Sequence, residues 1–222
     1  MADLTMRPAS IAVVTALLFT GCQAQQAEEP AVRAPVAASS PAPVYECSGK
    51  LYAVDRLDDA VMVHFPQQAR RLRRMEGASG SGYSDGQVTF RSAGQDATLS
   101  YSGHDQHCRM VTGVDPWRRA ELRGVSFRGV GQEPGWYVEV APGRNILFVG
   151  DYGNVTATAP VPPPITEPDR GITEYYAMSG EQELSVRIQR KACTDSMSGE
   201  EFEAVVHVRY GTMEYDGCGR SL

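Results

Sequence analysis

Apolar and polar residues alternate along most of this chain, and that period of two confines it to half-buried β-strands. Val61, Val63 and Phe65 point one way while Met62 and His64 point the other. Val88 and Phe90, then Ala97, Leu99 and Tyr101, repeat the pattern. Successive strand side chains project to opposite faces, so this spacing gives each segment one face to bury and one to wet. Gly49, Asp58-Asp59, Pro66, Ser84-Asp85-Gly86 and Ala93-Gly94 supply the turns between segments, with Asp85-Gly86 a tight-hairpin signal. No long stretch carries helical periodicity, and residues 67–75 read equally well either way.

The downstream half behaves alike. Val125 and Phe127; Trp136, Val138 and Val140; Ile146 and Phe148; Leu184, Val186 and Ile188; and Val206, Val208 and Tyr210 form alternating sets. Pro160-Val161-Pro162-Pro163-Pro164 is a rigid connection among them. The expected fold is all-β in two blocks, residues 44–110 and 123–222. The second is a small antiparallel β domain, barrel or sandwich. Residues 111–122, which include Val114-Asp115-Pro116-Trp117-Arg118-Arg119, are expected as the linker.

The N-terminal part has a different composition. The apolar run from Ile11 to Phe19 is shorter than the ~20 residues a membrane-spanning helix needs. It has the length of a signal-peptide core, and small Thr20 and Gly21 sit where a signal peptidase accepts small side chains. Leu17-Leu18-Phe19-Thr20-Gly21-Cys22 resembles the bacterial lipoprotein signal. The resemblance implies cleavage after residues 1–21 and acylation of Cys22. Asp3 is out of place in a positive leader, and a start at Met6 gives Met6-Arg7-Pro8 before the apolar run. Met1 and Met6 lead to the same mature chain. Residues 22–43 then hold the lipidated cysteine and a tether rich in Gln, Ala, Glu, Pro and Ser, expected to be disordered. At ~3.1 Å per residue such a tether reaches ~65 Å when fully extended. Gln23, rather than Asp, after the cysteine implies an outer-membrane location facing the periplasm.

With Cys22 acylated, Cys47, Cys108, Cys193 and Cys218 remain from the chain's five cysteines. An even remainder in an exported chain reads as a disulfide set. Three pairings are possible. In the one chosen, Cys47–Cys108 and Cys193–Cys218, each bridge closes one run of strand patterns. On the loop-entropy model they contribute ~4 and ~3 kcal/mol. A metal site is disfavoured because no Cys-x-x-Cys occurs. His104-Asp105-x-His107 offers too few local ligands, and its histidines are better read as surface residues.

Residues 44–110 hold eight acids and eight bases, whereas residues 111–222 hold sixteen acids and eleven bases. The chain's net charge of −6 therefore belongs mostly to the second block. Apart from Arg70-Arg71 and Arg73-Arg74 there is no basic stripe, so nucleic acid is not an expected partner. Gly80-Ser81-Gly82 lacks the strand-to-helix setting of a nucleophile elbow, and no phosphate loop or dinucleotide fingerprint is present. Neither an enzyme nor a cofactor is expected.

Residues 44–110 resemble the membrane-bound and periplasmic inhibitors of c-type lysozyme. The resemblance rests on Tyr45-Glu46-Cys47, on Val61-Met62-Val63-His64-Phe65, and on Ala78-Ser79-Gly80-Ser81-Gly82-Tyr83-Ser84-Asp85-Gly86, which is similar to that family's Ser-Gly-x-x-Tyr loop. Phe90, Gly94, Ala97, Leu99 and the closing Cys108 follow in order. The resemblance implies a small antiparallel β-barrel whose loop enters the lysozyme cleft. A loop Ser and a Lys from the next hairpin then meet the two catalytic carboxyl groups. Ser79 matches the Ser, with Gly80 and Tyr83 completing the loop, while Ala93 stands where the family has Lys. Arg91 is the nearest cation, on the same strand face as residue 93. The downstream block resembles a bacterial envelope domain without assigned activity, through Gly131-x-Glu133-Pro134-x-Trp136, Cys193-x-Asp195-x-Met197-Ser198 and Gly217-Cys218. There the Pro and Trp are expected to fix the start of a strand and Asp195-Ser196 to cap a turn.

The functional expectation is a lipid-anchored inhibitor of c-type lysozyme that protects peptidoglycan by binding. The alternative is a non-inhibitory envelope adhesin or ligand-binding scaffold using the same barrel.

Overall fold

The computed structural model describes residues 42–76 and 81–222. The first block forms eight strands: β1 (Val44–Cys47), β2 (Lys50–Arg56), β3 (Ala60–Phe65), β4 (Gln68–Arg74), β5 (Ser81–Ser84), β6 (Val88–Ala93), β7 (Asp96–Tyr101) and β8 (His104–Val111). Each pairs antiparallel with the next, and β1 pairs with β8, so the sheet closes into a barrel without free edges. Alternation fills the interior. Tyr45, Val54, Val61, Val63, Leu72, Val88, Phe90 and Leu99 are all buried there, with Tyr45 edge-on to Phe90 at 5.2 Å. The ambiguous stretch 67–75 is strand β4, because Leu72 belongs to that interior while Arg71 and Arg73 face outward. Cys47 and Cys108 are cross-strand partners joined by a disulfide that ties β1 to β8.

The expected linker is not an open connection. It contains the only α-helix among the described residues, α1 (Pro116–Leu122). Asp115 caps it, its carboxylate accepting from the Trp117 and Arg118 amides, and Pro116 opens the first turn. A helix of seven residues is too short to reveal its period in sequence. Asp-Pro was the available signal, and it also reads as a turn.

The second block is one nine-stranded antiparallel sheet. Its strands are β9 (Phe127–Gln132), β10 (Gly135–Ala141), β11 (Asn145–Gly150), β12 (Val155–Pro160), β13 (Ile165–Glu167), β14 (Ile172–Ser179), β15 (Gln182–Thr194), β16 (Glu201–Tyr210) and β17 (Met213–Ser221). The order is β12-β11-β10-β9-β17-β16-β15-β14-β13. The sheet curls until the Thr158 amide of β12 donates to Ser179 Oγ of β14 at 3.0 Å. Trp136, Val138, Ile146, Phe148, Leu184, Val186, Val206, Val208 and Tyr215 fill the concave side. The Cys193–Cys218 disulfide joins β15 to β17, the two strands flanking β16. Barrel and sheet belong to one compact unit.

Candidate functional site

The barrel end implied by the family resemblance is built from β4, β5 and β6. Ser79 and Gly80 lie outside the described residues. Ser81, the first described residue after them, pairs with Ser92, one position from Ala93. Tyr83 pairs with Phe90 and packs half-buried against the barrel interior, with the Arg74 guanidinium 5.9 Å from its ring centroid. Arg91 is exposed, opposite Gly82 on one side and Thr98 on the other, and has no ion pair among the described residues. Ala93 is exposed at the end of β6, opposite Asp96, whose carboxylate Arg109 reaches at 3.4 Å. Arg91 and Ala93 share the outer face two positions apart, ~7 Å along the strand.

The far turn of the β5–β6 hairpin is held by Asp85. Its Oδ1 accepts from the Gln87 and Val88 amides at 3.0 and 2.8 Å, and Arg70 meets Oδ2 at 2.7 Å. Partial burial pushes this carboxyl up, but the two amides and Arg70 outweigh it and hold the group below the usual carboxylate range.

In the second block, Trp136 explains the glycine-rich pattern around it. Its indole lies against Gly131 and Gly217, and its Nε1 donates to the Asp216 carbonyl at 3.3 Å. Asp195 is buried inside the disulfide-closed segment, and Oδ1 accepts from the Met197 and Ser198 amides at 3.0 and 2.7 Å. It caps that turn, while Gln132 donates to its other oxygen at 3.2 Å.

A cleft of about 960 Å³, lined by both charged and apolar side chains, runs between the barrel and the sheet. Arg128 of β9 and Glu139 of β10 are directly opposed strand partners, and Arg128 donates to Glu139 Oε1. Arg123, just past α1, donates to Oε2 at 2.5 Å. Glu139 is 2 % exposed and Arg128 8 %. Arg128 also stacks on Tyr137, 4.3 Å from the ring centroid. On the far side, Arg144 donates to the Arg123 carbonyl and approaches His64 Nδ1 of β3 at 3.4 Å. A guanidinium can only donate, so Nδ1 accepts and Nε2 donates to Asp55 at 2.8 Å. Burial pulls Arg128 and Arg144 below the usual arginine range, partly offset by Glu139 and Asp55 respectively.

Sequence reasoning did not find this cluster. Glu139 sits between Val138 and Val140, where alternation calls for a polar outward residue. Nothing local signals that α1 and the barrel cover that outward face. His104, Asp105 and His107 lie along β8, and among the described residues no group of three or more His, Cys, Asp or Glu is placed to hold a metal ion. No protein-family model, curated protein or solved structure matches this chain.

Proposed function

We propose that this protein is an envelope lipoprotein, anchored through Cys22, whose barrel binds c-type lysozyme and blocks its cleft with the segment carrying Ser79 and Gly80. The observation that carries the reading is the β5–β6 register. Ser81 pairs with Ser92, and Gly82, on the strand that follows that segment, pairs with Arg91, a cation with no ion pair among the described residues. A glycosidase of this type works with two carboxyl groups flanking the scissile bond. A hydroxyl and a guanidinium presented together satisfy those carboxyls in place of substrate. Tyr83 anchors the strand, and the closed barrel with its Cys47–Cys108 tie supplies a rigid base, which limits the entropy lost on docking. c-type lysozymes are basic, and the surplus of acids in residues 111–222 favours their approach.

The test is peptidoglycan hydrolysis by c-type lysozyme titrated with the purified protein. Activity is expected to fall in proportion to added protein until equimolar. Full activity at ~100 µM, far above the Kd of a specific protein pair, removes the inhibitor reading. Ala93, where the family has a cation, is the observation that favours the second reading, a barrel retained as an adhesin or ligand-binding scaffold.

A further inference from the structure

We infer that the cleft between barrel and sheet is a binding site for a small organic oxyanion, with Arg123 and Arg128 taking its carboxylate or phosphate oxygens and Tyr137 and Leu147 flanking its apolar body. The site is separate from the barrel end proposed to meet lysozyme.

Five arginines line the cleft, Arg56, Arg119, Arg123, Arg128 and Arg144, against two acids, Asp55 and Glu139. This local surplus of cations stands within a chain of net charge −6. Two of the five are committed to backbone. Arg119 donates to the Ala42 and Val114 carbonyls at 2.6 and 3.1 Å, and Arg144 to the Arg123 carbonyl. Arg123 and Arg128 share one carboxylate, each taking a single oxygen of Glu139.

That sharing leaves both guanidiniums under-used. A guanidinium is a planar fork of five N–H donors suited to two parallel oxygens. Here the Nε of Arg123 and the Nε of Arg128 are both buried without an acceptor among the described residues. Buried donors are almost always paired, and buried charges are matched. One carboxylate for two guanidiniums leaves a net positive charge at the cleft wall, which favours oxygen atoms bearing negative charge; because both Nε atoms are closed to solvent, those oxygens meet the terminal guanidinium nitrogens. The apolar walls matter equally. Tyr137 and Leu147 border the same space, so the group that fits is an anion on an apolar body.

The experiment is thermal unfolding of the purified protein at fixed ionic strength with 2-naphthoate, 1-naphthyl phosphate, or neutral 2-naphthamide. A ligand that binds only the folded state raises the Tm in proportion to ln(1 + [L]/Kd). Either naphthyl anion is expected to raise it saturably while the amide leaves it unchanged, and the two anions together tell carboxylate from phosphate preference. Glu139→Gln removes the competing internal carboxylate. It is expected to lower the Tm of the free protein and to tighten anion binding by about tenfold. Arg123→Gln retains the Arg128–Glu139 pair and is expected to weaken anion binding by about tenfold or more. A cluster with a purely structural role predicts no difference between anions and amide. Equal shifts for all three probes up to about 10 mM in wild type and in Arg123→Gln overturn the inference, whether or not Glu139→Gln folds.

Discussion

The indole of Trp136 lies so close over Gly217 that a Cβ added there would stand 2.8 Å from Trp136 Cζ2, with the Val130 backbone crowding it from the other side. Gly217 lies on β17 and Val130 on β9, the pair that joins the first and last parts of the second block. Gly217→Ala is therefore expected to force the indole or the β9–β17 pairing apart. Overpacking of this kind typically costs ~1–3 kcal/mol. Urea unfolding followed by tryptophan fluorescence checks it, and an unchanged midpoint would show that neither the indole nor the Val130 backbone constrains position 217.

Asp195 gives the second block a defined acid sensitivity. The Ser198 amide, then Gln132, the Ser198 hydroxyl and the Met197 amide, hold its carboxyl below the usual range against the opposing effect of burial. A depressed folded-state pKa contributes stability that is present above the unfolded value of about 3.9 and lost as pH falls through the folded value. The stability conferred by Asp195 should therefore be intact at neutral pH and disappear below about pH 4. Asp195→Asn is expected to be less stable than wild type at neutral pH, with the difference narrowing as pH falls. Unfolding midpoints across that range measure it, and a constant difference contradicts the assignment.

Much of the fold was legible because alternation is a strong local signal once repeated. Val61, Val63 and Phe65 line the barrel interior as their spacing implies, and Val138, Ile146, Val206 and Val208 meet in the second core. The disulfides match the pairing in which each bridge stays inside one run of strands. Strand connectivity was not legible. Phe127 and Ser221 are register partners although almost the whole second block separates them, and no local pattern marks that pairing. The arginine cleft escaped notice for the same reason. Asp55, His64, Arg123, Arg128, Glu139 and Arg144 each sit at an ordinary outward or connecting position. They become a cluster only when α1 folds and the outer face of β2 and β3 comes against the sheet. His64 shows this well, because its outward direction is legible but its 4 % exposure depends on Arg144 and the other lobe.

Membrane attachment through Cys22 is testable apart from any binding activity. A single acyl chain holds a protein only marginally, whereas several anchor it stably. Cys22→Ser is expected to abolish labelling by a fatty-acid probe and to shift the protein from the membrane to the soluble fraction, or to block its processing. Equal labelling of wild type and variant would exclude acylation at this position. Fractionation of the wild type checks the outer-membrane expectation drawn from Gln23.

Ala93→Lys is the sharpest test of the lysozyme reading. Position 93 is exposed at the end of β6, two residues from Arg91 on the same outer face, and its neighbour Ser92 pairs with the first residue after the Ser-Gly segment. A lysine there restores the cation that the resembled family places against the catalytic carboxyls. Asp96 lies directly across the strand pair and is already engaged by Arg109, so the new ammonium has an internal competitor at the rim. Exposed pairs of that kind are worth ~0–1 kcal/mol, less than the ~1.5–3 kcal/mol of a hydrogen bond to a charged group in a desolvated cleft. The lysozyme carboxyls should therefore win, and Ala93→Lys should inhibit more tightly than wild type. The gain should shrink as salt rises, because the attraction between exposed charges is screened over ~10 Å at 0.1 M. Ser79→Ala should act in the opposite sense, weakening inhibition by roughly ten- to a hundredfold. Inhibition constants measured at low and high salt for the three proteins decide the matter. If wild type and Ala93→Lys both leave c-type lysozyme fully active at every salt concentration, the barrel end does not enter the cleft and its partner lies elsewhere.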